Sequence, residues 1–350
     1  MISLYRWQEE CLNTWKNVGY KGIAEVTTGA GKTLMAVQGS LRLDEEKKGN
    51  LSIYVVVPKV ALKKQWRDVL SRNGAKDIEI WSNVKSKKGK YTIMTINTAR
   101  DMLPLLVEKD FKANKAVLLI LDEVHHYGSP ANSHVFDFLH SNHFKDSLYY
   151  SLGLSATTKV RTLHSVLIPK VGDVFFRYTL SDALSDGIVN DFVVFNVAVH
   201  FNDEERGLYD VITKDILFSF GRIFEAYPIL KKINASIFDI TDFLYKQGEK
   251  EMAWNLEVLI RERRDIIIRA DTRIKAALGI IRYTEGKTIV CTERIDQVDA
   301  LFAKLKKDGI KAVMYHGDME TKIKEENLKA FKEGTSRILL CCKALDEGLD

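Results

Sequence analysis

Residues 27–33 read Thr-Thr-Gly-Ala-Gly-Lys-Thr, an apolar run, Gly22–Val26, leads into them, and Leu34–Gln38 continues with helical composition. A glycine-rich turn between a strand and a helix, closing on Lys-Thr, is a phosphate cradle and demands an α/β sheet around it. Glycines let backbone N–H groups approach phosphate oxygens, and the helix N-terminus adds the positive end of its dipole. Thr28, Gly29, Ala30, Gly31, Lys32 and Thr33 would line the cradle. Lys32 would reach the β- and γ-phosphates, and the Thr33 hydroxyl would hold Mg²⁺. The full pattern wants glycine at position 26, where this chain has Val26, so the turn needs a second feature to support it.

That feature lies at residues 117–126. Val117–Leu121 is a continuous apolar run of strand length, as suits a parallel strand buried on both faces. It ends in Asp122-Glu123-Val124-His125-His126. Carboxylates at the C-terminal end of a buried strand stand where α/β sheets place their chemistry. Asp122 would hold Mg²⁺ largely through water, and Glu123 would orient and deprotonate an attacking water. A solvated acidic turn is the plain alternative, which the Lys32 turn upstream disfavours.

At 350 residues the chain has length for two or three domains. No apolar run is long enough to cross a membrane, and Met1 opens into a polar, amphipathic segment, so neither a membrane span nor a signal peptide is expected. A cytoplasmic protein is expected, in the host cytoplasm if viral. Cys11, Cys291, Cys341 and Cys342 form no metal-binding spacing and read as reduced thiols. Residues 59–90 hold ten Lys or Arg against three acids, an excess of seven where the whole chain carries +5. This is either a solvated face or a track for a phosphate backbone.

Strand and helix signals alternate through residues 1–190, with strands near 22–27, 52–57, 91–95, 117–121 and 150–154. Helices are expected at 5–17, 32–43, 59–72 and 131–142, and residues 192–201 read as a further strand. Residues 203–282 change character: apolar residues recur at helical spacing, as in Ile233, Ile237, Ile240 and Leu244, and read as a core-facing stripe. An arginine cluster there (Arg261, Arg263, Arg264, Arg269, Arg273) reads as paired within its own helix, Asp265 with Arg269 for example. From 287 the strand–helix alternation returns. The expected organisation is an N-terminal α/β domain over 1–200, a helical insertion over 201–284 and the start of a second α/β domain over 285–350.

Taken together these stretches resemble the superfamily 2 helicases, nucleic-acid motors with two RecA-like domains. The resemblance implies parallel sheets with helices on both faces, ATP and Mg²⁺ as cofactors, and DNA as partner. Tyr5-Arg6-Trp7-Gln8 stands where that family reads adenine, which implies Arg6 and Gln8 at the base. Pro58-Lys59, with Gln65-Trp66, and Thr95-Ile96-Asn97-Thr98 look like the segments that contact the nucleic-acid backbone. Asp122–His125 resembles motif II, and Leu154-Ser155-Ala156-Thr157 resembles motif III, which couples the ATP site to the strand-binding face. His125, Ser155, Ala156 and Thr157 would carry that coupling. Ile289–Cys291, leading to Thr292, looks like motif IV, and Tyr315-His316-Gly317-Asp318 matches the family strand that follows. Thr292, His316 and Gly317 are the implied nucleic-acid contacts there. Ala344–Asp350 looks like the start of motif V, implying Glu347, Gly348 and Asp350 at the nucleotide.

Within the superfamily the likeness is greatest to XPB-type translocases and phage UvsW-type helicases, carried by Asp122–His126, Leu180–Val189 and Ala344–Asp350. The XPB signature Arg-Glu-Asp is replaced by Arg161-Thr162-Leu163, which argues against an XPB orthologue. Motif VI and its arginine finger would lie beyond Asp350, so the sequence reads as a piece of a longer protein or as one completed by another chain. The expected function is an ATP-dependent helicase or translocase on duplex, forked or junction DNA, in repair, recombination or replication. Alternatives are an RNA helicase, the motor subunit of a restriction or phage-defence complex, and a scaffold that binds nucleotide without hydrolysing it.

Overall fold

The computed structural model describes residues 3–82 and 86–342. The chain divides into two compact units at Val193/Val194.

The first unit is built on seven parallel strands: β1 (Ile23–Val26), β2 (Leu51–Val57), β3 (Ile78–Ile80), β4 (Tyr91–Thr95), β5 (Ala116–Leu121), β6 (Tyr149–Ser155) and β7 (Val174–Tyr178). Their order is β3-β4-β2-β5-β6-β1-β7. The helices are α1 (Arg6–Asn17), α2 (Lys32–Glu46), α3 (Val60–Arg72), α4 (Ile96–Lys112), α5 (Ile168–Val171) and α6 (Leu180–Ser185). Alternate strand residues face opposite ways, so β2 sends Ile53, Val55 and Val57 into one core and Tyr54 and Val56 into the other. The first core adds Trp7, Trp15, Leu43 and Trp66; the second adds Phe111, Tyr127 and Phe136. Both faces are therefore covered, which is why β2 and β5 are apolar without alternation.

Two local expectations are corrected, and a third feature, left open by the sequence, is narrowed. Residues 192–201 form no strand: Phe192, Val193, Val194 and Phe195 lie exposed outside any helix or strand. Their β-branched and aromatic composition suits a strand, but no ladder partner is present among the described residues. Asn132–His140 winds as 3₁₀-helix rather than α-helix, burying Val135 and Phe138, three apart, beneath a threefold turn. The basic stretch after Pro58 is thinner than its count suggests. Lys63 is buried, Lys88 pairs with Asp110, and Lys90 lies 2.5 Å from Asp44. Lys85 lies outside the described residues.

The second unit begins with α7 (Asp203–Ala226), α8 (Pro228–Lys232), α9 (Ile237–Gln247), α10 (Lys250–Arg269) and α11 (Asp271–Tyr283). It continues as β8 (Thr288–Thr292), α12 (Ile295–Lys307), β9 (Ala312–Tyr315), α13 (Thr321–Lys332) and β10 (Ile338–Cys342), a parallel sheet in the order β8-β10-β9. Ile216, Ile223, Ile240, Leu244 and Leu256 close one helical core. Helix α11 instead packs Leu278 and Ile281 against Val298, Leu301 and the sheet. Ile240 and Leu244 are buried as the stripe implies, but Ile233 and Ile237 are exposed because α9 begins only at Ile237. The arginine cluster pairs between elements, not within its helix: Asp265 binds Arg294, Arg264 binds Glu293 and Arg269 binds Asp296. Acids and bases of α10 and of the β8–α12 turn meet across the packing contact, which the linear sequence does not display.

Candidate active site

The cradle hangs between β1 and α2. Gly29 and Gly31 have φ of 77° and 93°, the left-handed region that glycine enters without cost. A side chain at Gly31 would put its Cβ 2.9 Å from Gln8 Nε2, so that glycine is also demanded by space. Among the described residues nothing stands within 4 Å of the corresponding point at Gly29, so none of them crowds that side of the loop. Gln8 is fully buried beneath the loop: its Nε2 donates to the Gly31 carbonyl at 3.0 Å, and its Oε1 accepts from the Tyr5 N–H at 2.9 Å. Gln8 thus braces the cradle. Arg6 is well exposed and lines a concavity of about 380 Å³ with Trp7, Arg177, Tyr178, Asp182 and Asp186. Trp7 stacks on Tyr178 with ring centroids 4.8 Å apart.

At the end of β5, Lys32 Nζ donates to Glu123 Oε1 at 3.1 Å. Glu123 itself sits at φ 49°, ψ 59°, left-handed and not glycine, a conformation tolerated where surrounding structure fixes it. The Asp122 N–H is held by the Val56 carbonyl at 2.9 Å, and the Trp66 indole N–H donates to Asp122 Oδ2 at 2.8 Å. Trp66 is therefore buried against the site carboxylate, not displayed to a nucleic-acid backbone. The sequence pattern misses this; only its place two turns into α3, beneath β5, reveals it. Burial pushes the Asp122 carboxyl up to about 6, opposed by the Trp66 hydrogen bond and the Lys32 charge and reinforced by the neighbouring Glu123. A glycine loop, a lysine held on Glu123, a hydroxyl at Thr33 and a carboxylate with one oxygen fixed by an indole make a donor set that fits a nucleotide phosphate and Mg²⁺.

Two predictions follow from Asp122. Removing the indole N–H in Trp66→Phe should raise the Mg²⁺ concentration for half-maximal ATP hydrolysis by about tenfold, because a hydrogen bond to a charged group is lost. Titration of Mg²⁺ at saturating ATP checks it. The raised carboxyl favours the folded state below its ordinary 3.8 and loses that contribution as pH rises through about 6. A carboxyl that is to hold Mg²⁺ must be ionised, so in that role its effect on the rate would run the other way. At limiting Mg²⁺ the rate should fall on acidification through about pH 6, and added Mg²⁺ should move that limb lower.

His125 Nδ1 lies 2.9 Å from Ser155 Oγ, and Ser155 Oγ also donates to the Thr157 carbonyl at 2.6 Å. The end of β5 and the loop after β6, with Ala156 exposed in it, are thus joined. Pro58 and Lys59 leave β2 just ahead of α3, and Lys59 is extended. Thr95 Oγ1 and Thr98 Oγ1 are 3.1 Å apart at the start of α4, and Asn97 accepts from Arg100 at 2.9 Å. In the second unit Thr292 Oγ1 donates to the Arg294 carbonyl at 2.9 Å, His316 is buried after β9 and Gly317 is exposed. Glu347, Gly348 and Asp350 lie outside the described residues.

Residues 1–160 match the family described as "Type III restriction enzyme, res subunit", and residues 272–350 match "Helicase conserved C-terminal domain". The chain is 26% identical to the "DNA 3'-5' translocase XPB2" of Sulfurisphaera tokodaii over 100% of its own length and 72% of that protein. These matches together support an XPB-like superfamily 2 helicase. They likewise support an ATP-hydrolysing enzyme, with the α/β fold of helicases that carry two RecA-like domains. The helicase domain of Hef from Pyrococcus furiosus superposes over 98% of this chain and 86% of its own, with a TM-score of 0.56 at 16% identity. Dbp5 of S. cerevisiae, bound to RNA and ADP BeF3, superposes over 99% of this chain and 72% of its own, with a TM-score of 0.57 at 15% identity. These two likenesses concern the fold alone. A local match to "DEAD-box ATP-dependent RNA helicase 22" of Oryza sativa, 29% identical, spans 25% of the helicase and 17% of that protein.

Proposed function

We propose that this helicase is an ATP-driven motor on duplex or branched DNA, forks and four-way junctions included, serving repair, recombination or replication. The single observation that carries the choice of DNA is the match to a DNA translocase along the whole chain, where the RNA-helicase match spans a quarter of it. In this reading Thr28–Thr33 hold the triphosphate, Arg6 and the concavity beside Trp7 take the base, and Gln8 holds the loop in shape. Thr33 and Asp122 would hold Mg²⁺, which when bound supplies neutralisation of phosphate charge. Glu123 takes the proton of the attacking water, and Lys32 stabilises charge on the phosphates and orients Glu123. Pro58, Lys59, Thr95, Asn97 and Thr98 in one unit and Thr292, His316 and Gly317 in the other grip the DNA backbone, so that binding depends little on sequence.

The test compares ATP hydrolysis without nucleic acid, with duplex and forked DNA, and with RNA of the same sequence. Stimulation by DNA well above that by RNA is expected. Preference for RNA, or equal turnover in all cases, would overturn the reading.

A further inference from the structure

Glu25 is a carboxylate on an inner strand of a parallel sheet, next to the edge strand β7, where strands covered on both sides are ordinarily apolar. It stands in Ile-Ala-Glu-Val, two residues before the cradle begins at Thr27. Strand β1 runs between β6 and β7, and the register sets Glu25 beside Ser155 on one neighbour and Arg177 on the other. Three donors converge on it. Thr158 Oγ1 reaches Glu25 Oε2 at 2.8 Å, Arg177 Nε reaches the same oxygen at 3.0 Å, and the Thr158 N–H approaches Oε1 at 3.4 Å.

The two partners lead in different directions. Arg177 is well exposed, spends only its Nε on Glu25, and lines the concavity beside Arg6, Trp7 and Tyr178. Thr158 is buried and follows Ser155-Ala156-Thr157, whose serine binds His125 beside the site carboxylates. A fold that needed only packing at position 25 would be served by Val or Ile; a shared carboxylate serves to connect.

We propose that Glu25 is a positioning residue that ties the nucleotide concavity to the segment 155–158, through Arg177 on one side and Thr158 on the other. A nucleotide that orders the Arg177 guanidinium also orders Glu25, and with it the Thr158 hydroxyl and N–H. Occupancy of the base site is thereby felt at the segment that couples hydrolysis to the nucleic-acid face. Coupling between sites in proteins is commonly about 5–150-fold, which sets the scale of the effect. The proposal rests on the reading that the base occupies the Arg6–Trp7–Tyr178 concavity.

Hydrogen exchange by mass spectrometry with and without saturating ADP tests it, with binding measured separately by a fluorescent ADP. In the unmodified protein ADP should slow exchange across residues 155–160 by about fivefold or more. In Glu25→Gln the slowing should drop below about twofold at equal ADP occupancy. Thr158→Val, nearly isosteric, should weaken it in the same direction and serves should Glu25→Gln fold poorly, which thermal unfolding reports. Equal protection in both variants, or none in the unmodified protein at full occupancy, would overturn the link while leaving the nucleotide site standing. No saturable ADP binding at all would overturn both.

Discussion

Lys32→Ala should lower kcat for ATP hydrolysis by about three orders of magnitude, the upper end of what one charge-stabilising donor contributes. Lys32 Nζ sits 3.1 Å from Glu123 and both side chains are largely sheltered, so the charge acts in a medium that screens it poorly. The substitution removes the cation beside the cradle and also the partner that holds Glu123 in place. Nucleotide affinity should fall with kcat, since in the proposed role the lysine would serve bound and reacting phosphates alike. DNA binding should stay within about twofold, because the proposed backbone contacts lie on other residues. Steady-state kinetics and a fluorescence-anisotropy titration separate the two effects.

Glu123→Gln should behave differently. Its kcat should fall by about 10²–10⁴, the usual worth of a positioned general base, with ATP affinity close to that of the unmodified protein. Glutamine keeps the shape of the side chain and an oxygen for Lys32, but it cannot take a proton. The backbone at position 123 is already left-handed, so an amide of the same size adds no new strain. A variant that binds ATP and fails to turn it over isolates the base from the cradle. Single-turnover hydrolysis beside equilibrium ATP binding is the measurement, and a parallel loss of affinity would show that Glu123 holds nucleotide instead.

Much of this site was legible in the chain because its chemistry is local. Gly29, Gly31, Lys32 and Thr33 are adjacent in sequence, and Asp122 and Glu123 follow an unmistakable buried strand. What lay hidden is whatever depends on distant elements meeting. Gln8 stands, by resemblance, for an amide at the adenine; that it also lies beneath Gly31 and donates to its carbonyl depends on α1 meeting the loop. Trp66 looks like part of a binding segment until α3 lays its indole on Asp122. Glu25 carries no pattern of its own; its meaning comes from Thr158 and Arg177, more than 130 residues away. Residues 192–201 show the converse, a strand composition without a strand, because a ladder needs a neighbour that composition cannot supply.

The most direct test of the motor is displacement of a third strand from triplex DNA, which reports movement along a duplex without requiring its separation. Run with ATP, with a non-hydrolysable analogue and with Glu123→Gln, the protein should displace the strand only in the first case. Displacement that persists in Glu123→Gln, or its absence while DNA-stimulated hydrolysis proceeds, would contradict the claim that hydrolysis at Lys32, Asp122 and Glu123 drives movement along DNA.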